Sequence, residues 1–338
     1  MKLTMRTIIT LIILITIALP ILAVDDNEYI GKKNAAIAKA KEGDGFINAT
    51  PPDYQNAAIA YENALDRFKD LLADANPADS LQLQIDVLIK NLSVTNRSAG
   101  NFEEALDFLD QRLAKTPEDE SLYLQKFLIL KEDLGKEAVG VKMLEEYLTT
   151  HTNVRMATQI ANYYYFRAKD YKSAVVWFEY IQVNNPQVDA NFYKNIISAY
   201  KKVKNYTKVI ELSKEYLTIN PPESDVVKTY KSIGSAYKSQ KDSKNTLIWY
   251  EKYLEKKQDP KVALYVCNQY YKKKSNDKTI KYANMVIAKN SKKLVAYFLR
   301  GVAKFNKGDK EGAKADFMIA KEDPKYGVHA QKFLDSMK

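Results

Sequence analysis

The sequence predicts an all-α protein in which one helical hairpin is repeated along the chain. Its 338 residues include only 11 Gly and 10 Pro, which leaves few turn residues for the many short strands of a β protein. Residues of the same character also recur at intervals of about 34 residues, a period typical of stacked helical hairpins. With 46% hydrophobic and 28% charged residues, the chain has the composition of a globular protein and not of a disordered one.

Residues 1–23 have the order of a signal peptide. Two basic residues precede an apolar run from Thr7 to Leu19, and Ala23 offers a cleavage position after the run. We therefore expect an exported protein, periplasmic or secreted, whose mature chain begins at Val24. Ile21 is larger than the small residue usual near such a site, so an uncleaved membrane anchor is the alternative. No later apolar stretch approaches the roughly 20 residues that span a bilayer.

One helical face defines the repeat. A small or polar residue is followed four positions later by an aromatic or apolar residue, and a further apolar residue comes seven or eight positions after the first. The first members of these sets are separated by 48, 35, 34, 35, 37, 33 and 34 residues. They are Ala57, Ala105, Gly140, Ala174, Val209, Thr246, Thr279 and Ala313.

A clear copy of the unit surrounds one polar turn. The aromatic run Tyr163–Phe166 precedes the turn Ala168–Asp170, and Ala174 and Phe178 then face one side of a second helix. The copy ends at Asn185–Pro186, where proline stops the helix. This unit resembles the tetratricopeptide repeat, a helix–turn–helix of about 34 residues with small and aromatic residues at the same offsets and a proline at its end.

The resemblance implies a right-handed helical-hairpin solenoid of about seven to eight tetratricopeptide-like repeats with a C-terminal capping helix. We assign residues 24–85 to an irregular first repeat, 86–325 to the repeat array and 326–338 to the capping helix. In the irregular repeat, a long loop from Gly43 to Asp53 is expected to join the two helices. The seven later units are predicted to start near Asp86, Glu120, Arg155, Ala190, Val227, Pro260 and Leu294.

Residues and motifs typical of catalysis or metal binding are scarce, so we predict a protein that is not an enzyme and has no catalytic, cofactor or metal site. His151 and His329 are the only histidines, and neither belongs to a metal-binding or general-base motif. The sequence contains no glycine-rich phosphate loop and no nucleophile elbow. Cys267 is the only cysteine, and we expect it to be a small buried residue in helix packing.

Charge is distributed unevenly along the chain. Residues 24–153 contain 14 Lys/Arg and 24 Asp/Glu, whereas residues 154–338 contain 36 Lys/Arg and 18 Asp/Glu. Only three of the 36 basic residues are arginine, so the C-terminal half carries point charges and few of the planar guanidinium groups that bind phosphates in pairs of hydrogen bonds. This composition and the predicted export both disfavour nucleic acid as a partner.

In the tetratricopeptide family, the first helix of each repeat lines a concave inner surface, and the resemblance implies the same arrangement here. By spacing, eight lysines and three aromatic residues of the later repeats would meet in this groove, where their charges attract an acidic partner. These candidate residues are Tyr163, Phe166, Lys194, Lys201, Lys202, Lys228, Lys231, Lys238, Lys261, Tyr271 and Lys272.

Two functional hypotheses follow from the groove and the charge. The first is an exported scaffold that binds another protein or peptide, an acidic one in particular, in the concave groove. The alternative is direct binding of an anionic polymer or surface, such as an acidic glycan or an envelope component, by the basic C-terminal half. Salt distinguishes them, because polymer binding weakens steeply with ionic strength and a packed protein interface does not.

Export can be tested on native material. Because a signal peptidase is expected to cut after Ala23, N-terminal sequencing of the protein from its own cells should begin at or near Val24. Recovery of intact Met1 in a membrane fraction would instead establish the uncleaved anchor.

Overall fold

A computed structural model describes residues 26–74 and 79–337, so the predicted signal peptide lies outside the described residues. Within the described part the chain forms 17 α-helices and no strands, which confirms the all-α prediction. The helices are α1 Asp26–Asn48, α2 Tyr54–Asp74, α3 Asp79–Ala99, α4 Phe102–Lys115, α5 Glu120–Leu128, α6 Glu137–Tyr147, α7 Val154–Asn162, α8 Tyr171–Asn184, α9 Ala190–Lys202, α10 Tyr206–Thr218, α11 Glu223–Ser239, α12 Ser243–Lys256, α13 Pro260–Lys272, α14 Asn276–Lys289, α15 Leu294–Asn306, α16 Lys310–Ala320 and α17 Gly327–Asp335.

Consecutive helices pair as hairpins, from α1 with α2 to α15 with α16, and α17 packs against the last hairpin. A π-helical segment extends α5 over Ile129–Asp133, and another extends α7 over Tyr163–Ala168. The predicted unit starts coincide with the first helical residue at Glu120, Ala190, Pro260 and Leu294. The second hairpin begins earlier than predicted, because α3 is 21 residues long and starts at Asp79.

The predicted loop from Gly43 to Asp53 is too long, because α1 continues through Asn48 and only residues 49–53 connect it to α2. Its glycines had suggested a turn, but Gly43 lies in the helix at its contact with α2. A Cβ atom on Gly43 would lie 2.6 Å from the ring of Tyr61, so the absent side chain lets the two helices approach closely. The phenol of Tyr61 donates a hydrogen bond of 2.6 Å to Asp44, which further fixes this contact.

The chain divides into two compact units between Leu144 and Glu145, a boundary that falls inside α6. We call them the N-terminal unit and the C-terminal unit. The core of the N-terminal unit includes the fully buried Phe68 and Leu81. The core of the C-terminal unit includes Phe317 and Cys267, and Cys267 is fully buried as the sequence predicts. Burial raises the pKa of its thiol to about 12, so the thiol stays protonated at neutral pH.

The turn inside each hairpin has the same backbone form in seven consecutive hairpins, from α3–α4 to α15–α16. One turn residue adopts a positive φ, and the residue after it immediately precedes the second helix. At the turn of α11 and α12, for example, Asp242 accepts a hydrogen bond of 3.0 Å from the backbone N–H of Asn245 and so caps the helix. The positive-φ residues are Gly100 (89°), Gly135 (64°), Lys169 (57°), Lys204 (61°), Lys241 (61°), Lys274 (56°) and Gly308 (85°).

Four of these seven positions therefore hold lysine where glycine fits best. We call Lys169, Lys204, Lys241 and Lys274 the turn lysines. A left-handed conformation brings the Cβ atom of an L-residue close to the following carbonyl oxygen, whereas glycine adopts it freely. Gly100, Gly135 and Gly308 show that the same turn forms with glycine in this chain.

Replacing one turn lysine by glycine is expected to stabilise the protein. Lys241→Gly removes the left-handed strain but adds freedom to the unfolded chain, so we expect a net gain of about 0.5–1 kcal/mol in the free energy of unfolding. Chemical denaturation measures the change.

The matched control is Lys314→Gly, at an exposed position inside α16. There glycine should destabilise the protein by about 0.5–1 kcal/mol, since it weakens a helix interior. Destabilisation by Lys241→Gly as well would contradict the assignment of strain to this turn.

Candidate binding site on the first helices of the C-terminal unit

The eight candidate lysines lie on three successive first helices, α9, α11 and α13, and all eight are exposed. Lys194, Lys201 and Lys202 belong to α9, Lys228, Lys231 and Lys238 to α11, and Lys261 and Lys272 to α13. Of the aromatic candidates, Tyr163 and Phe166 lie in the π-helical segment after α7, and Tyr271 lies on α13. Phe166 is 49% exposed, and the other two rings are half-buried.

Contacts between repeats show that the first helices are neighbours. The Lys194 ammonium on α9 lies 3.2 Å from the Asp225 carboxylate on α11. The Lys231 ammonium on α11 lies 2.7 Å from Asp259, which caps the start of α13. Ion pairs thus link α9 to α11 and α11 to the start of α13.

Some candidate lysines are neutralised by acidic residues of the same or the next repeat. Asp225 accepts hydrogen bonds from Lys228 at 3.1 Å, from Lys194 at 3.2 Å and from the phenol of Tyr216 at 3.0 Å. These donors stabilise the carboxylate and lower the pKa of Asp225 to about 2. Lys194, Lys228 and Lys231 are thus engaged in the protein's own ion pairs and offer less charge to a partner.

Other lysines surround an open cleft between α9 and α11. We call it the α9–α11 cleft, and its volume is about 470 Å³. Lys201, Lys202 and Lys204 lie along one side, and among the described residues none of the three forms an ion pair with an acidic side chain. Its full lining is Ser198, Lys201, Lys202, Lys204, Tyr206, Val209, Ser232, Ser235, Ala236 and Ser239.

Two candidate lysines in this region rest on aromatic rings. The Lys202 ammonium lies 5.5 Å from the ring centre of Tyr171, and the Lys238 ammonium lies 4.4 Å from that of Tyr265. A ring face attracts an ammonium group without cancelling its charge. Lys202 and Lys238 are therefore held in place and still carry a full positive charge.

The chemistry of the cleft suits carboxylate groups. Ammonium groups donate hydrogen bonds to carboxylates, and Val209 and Ala236 add an apolar floor. The structure thus brings Lys201 and Lys202 together with Lys204, which the sequence analysis did not select. The other nine candidates do not line the cleft, although Lys238 lies beside its lining residue Ser239; they are Tyr163, Phe166, Lys194, Lys228, Lys231, Lys238, Lys261, Tyr271 and Lys272.

The four cleft serines were not among the predicted site residues, which were all lysines or aromatic residues. Three of them, Ser232, Ser235 and Ser239, recur on one face of α11 at intervals of three and four residues. That spacing of small polar residues beside lysines was the available signal.

Residues 26–74 and 79–337 contain no cluster of three or more His, Cys, Asp or Glu side chains placed to hold a metal ion. In the same part of the chain, no helix combines the length and the apolar character needed to cross a bilayer.

No protein-family model matches the sequence, and no curated protein is similar to it. Similar solved structures include YrrB, described as a TPR protein with an unusual peptide-binding site, at 15% identity over 56% of this chain and 96% of YrrB, with a TM-score of 0.41. MamA matches at 19% identity over 51% of this chain and 91% of MamA, with a TM-score of 0.37. A tetratricopeptide repeat protein from Parabacteroides merdae matches at 16% identity over 75% of this chain and 99% of that protein, with a TM-score of 0.37.

The chain's own hairpins and turns define its class. Helical pairs repeat at the period of the tetratricopeptide unit, and small residues meet aromatic rings between the paired helices. In fold, this chain is a tetratricopeptide-like helical-repeat protein.

Proposed function

We propose that the chain is an exported, non-catalytic scaffold that binds an acidic segment of a partner protein in the α9–α11 cleft. The observation that carries the proposal is the cleft itself, in which Lys201, Lys202 and Lys204 have no acidic partner within the described chain. Lysines on the same helices, such as Lys194 and Lys231, are paired. The cleft therefore offers a ligand three lysines whose charge is not neutralised by the protein's own ion pairs among the described residues.

An extended acidic segment fits this site better than a single acidic group. An exposed ion pair contributes no more than about 1 kcal/mol, so useful affinity requires several contacts at once. Lys201, Lys202 and Lys238 lie near the C-terminal ends of α9 and α11, where several carboxylates of one segment can reach them. The apolar floor at Val209 and Ala236 adds contacts that salt does not screen.

The proposal predicts that reversing three charges abolishes partner binding. We call the variant Lys201→Glu, Lys202→Glu, Lys238→Glu the cleft variant. From the protein's own cells it should capture at least about tenfold less partner than the wild-type chain does, because repulsion replaces attraction. Quantitative mass spectrometry after affinity capture measures the loss. The melting temperature should change little, since these exposed side chains form no ion pairs in the described structure.

The control reverses three exposed lysines elsewhere in the C-terminal unit, Lys257, Lys289 and Lys292, and has the same net charge. It should capture the partner normally. Lys194 and Lys231 are left unchanged, because a glutamate there would face Asp225 or Asp259 and destabilise the fold.

Three results decide between the hypotheses. Loss of the same acidic protein from the cleft variant alone supports the proposal. Equal loss from both variants, with capture that falls steeply with salt, favours the alternative in which the basic half binds an anionic polymer. Normal capture by the cleft variant would show that the partner binds elsewhere.

A further inference from the structure

The turns inside the hairpins of the C-terminal unit lie side by side along one edge. The Gln240 side chain donates a hydrogen bond of 3.0 Å to the hydroxyl of Thr207 in the preceding turn. Asn306 similarly donates to Asn276 at 3.5 Å, and Lys307 forms an ion pair with Asp277. We call the four turn segments 166–172, 201–207, 238–244 and 271–277 the turn edge.

The turn edge is more basic than the opposite ends of the hairpins. Its four segments contain 12 Lys/Arg and three Asp/Glu. The loops that connect successive hairpins, at the other ends of the helices, provide a comparison over the same number of residues. Segments 184–190, 219–225, 256–262 and 289–295 contain six Lys/Arg and four Asp/Glu. The excess of positive charge is thus specific to one edge and not a general property of a lysine-rich surface.

The few acidic residues at the turn edge are occupied. Asp170 accepts hydrogen bonds from the backbone N–H groups of Lys172 and Ser173, and Asp242 caps α12 in the same way. Asp277 is paired with Lys307, which lies outside the four segments. Three carboxylates against 12 basic side chains leave the four segments with a large net positive charge.

The backbone conformation of the turn lysines also indicates that their side chains have a function. The turn lysines occupy left-handed positions in four consecutive hairpins, where glycine would be more stable. The same chain uses glycine at Gly100, Gly135 and Gly308, so the turn itself does not require a side chain. Strained conformations of this kind concentrate at functional sites, where the side chain gives an advantage that offsets the loss of stability.

We propose that the turn edge binds the headgroups of an anionic phospholipid bilayer. The turn lysines are all exposed and lie at the ends of the helices. A flat membrane surface can therefore contact several turns at once. Successive repeats are separated by roughly 10 Å, so four turns extend over about 30 Å and face several headgroups. A segment held in the α9–α11 cleft would contact only Lys204 among the four.

Residue type also favours a lipid surface. Lysine is a mobile point charge that responds to the average potential of an anionic membrane, whereas specific phosphate recognition favours arginine. Eleven of the 12 basic residues at the turn edge are lysine. Phe166, at the first turn, is 49% exposed and offers an aromatic ring at the headgroup level.

Vesicle co-sedimentation tests the proposal. The chain is used from Val24 onward, which keeps every described helix and removes the predicted signal peptide. It should bind vesicles of phosphatidylcholine with phosphatidylglycerol, should not bind vesicles of phosphatidylcholine alone, and should dissociate as salt is raised.

The decisive variant is Lys169→Gly, Lys241→Gly, Lys274→Gly, which leaves the cleft residue Lys204 unchanged. Its binding to the anionic vesicles should fall at least about tenfold, because three charges near the surface are lost. Its melting temperature should rise, since glycine relieves three left-handed residues. Weaker binding by a more stable protein cannot result from misfolding.

The control removes the same charge from the opposite edge with Lys257→Ser, Lys289→Ser, Lys292→Ser, and its binding should stay within about twofold of wild type. Equal losses in both variants would overturn the proposal, because binding would then follow net charge alone. Binding to phosphatidylcholine alone would also overturn it. So would retention on soluble polyglutamate without vesicle binding, which would identify an acidic polymer as the ligand.

The outcome is separable from that of the proposed scaffold function. The glycine variant keeps the α9–α11 cleft intact and should still capture the acidic partner protein. Loss of vesicle binding with normal partner capture would place the two activities on different surfaces.

Discussion

The packing of the two helices of a hairpin against each other is the contact on which the rest of the structure depends. In four hairpins the helices approach closely because a glycine on one helix lies opposite an aromatic ring on the other, at Gly43, Gly140, Gly234 and Gly301. A Cβ atom on Gly234 would lie 2.4 Å from Cδ1 of Tyr250, and one on Gly301 would lie 2.9 Å from Cε1 of Phe317. Helices that pack this closely can be joined by a three-residue turn, and the left-handed turn residue and the helix cap follow from that short connection.

Stacking such hairpins determines where charge is neutralised and where it stays available. The caps of the first helices place Asp259 within reach of Lys231 in the preceding repeat, while Asp225, in the first turn of α11, reaches Lys194. At the other ends of the helices the capping carboxylates bond to backbone N–H groups, and lysines far outnumber the acidic residues there. One architecture thus produces an edge where lysines such as Lys194 and Lys231 are paired across repeats and a more basic edge, and the α9–α11 cleft opens near the basic one.

Much of the fold could be predicted from the sequence, because repeat spacing and helix caps are local. The start at Pro260 follows from a proline after the capping Asp259. The helix through Gly43 was not predicted, because a glycine that permits helix packing has the same sequence signature as a turn residue. The candidate site was harder to predict, because the acid that neutralises Lys194 is 31 residues away and its contact depends on the stacking of repeats. Lysine at a left-handed position carries no local signal at all.

Substitution of Gly234 by alanine tests the packing constraint most directly, because two effects on stability have opposite signs. Alanine strengthens a helix interior by about 1 kcal/mol, whereas the added methyl group would overlap the ring of Tyr250 and cost about 1–3 kcal/mol. Gly45→Ala, in α1 with no atom within 4 Å of the new Cβ, serves as the control and should stabilise the protein by about 1 kcal/mol. We expect Gly234→Ala to lower the free energy of unfolding, as measured by chemical denaturation. A gain as large as that of Gly45→Ala would contradict this expectation.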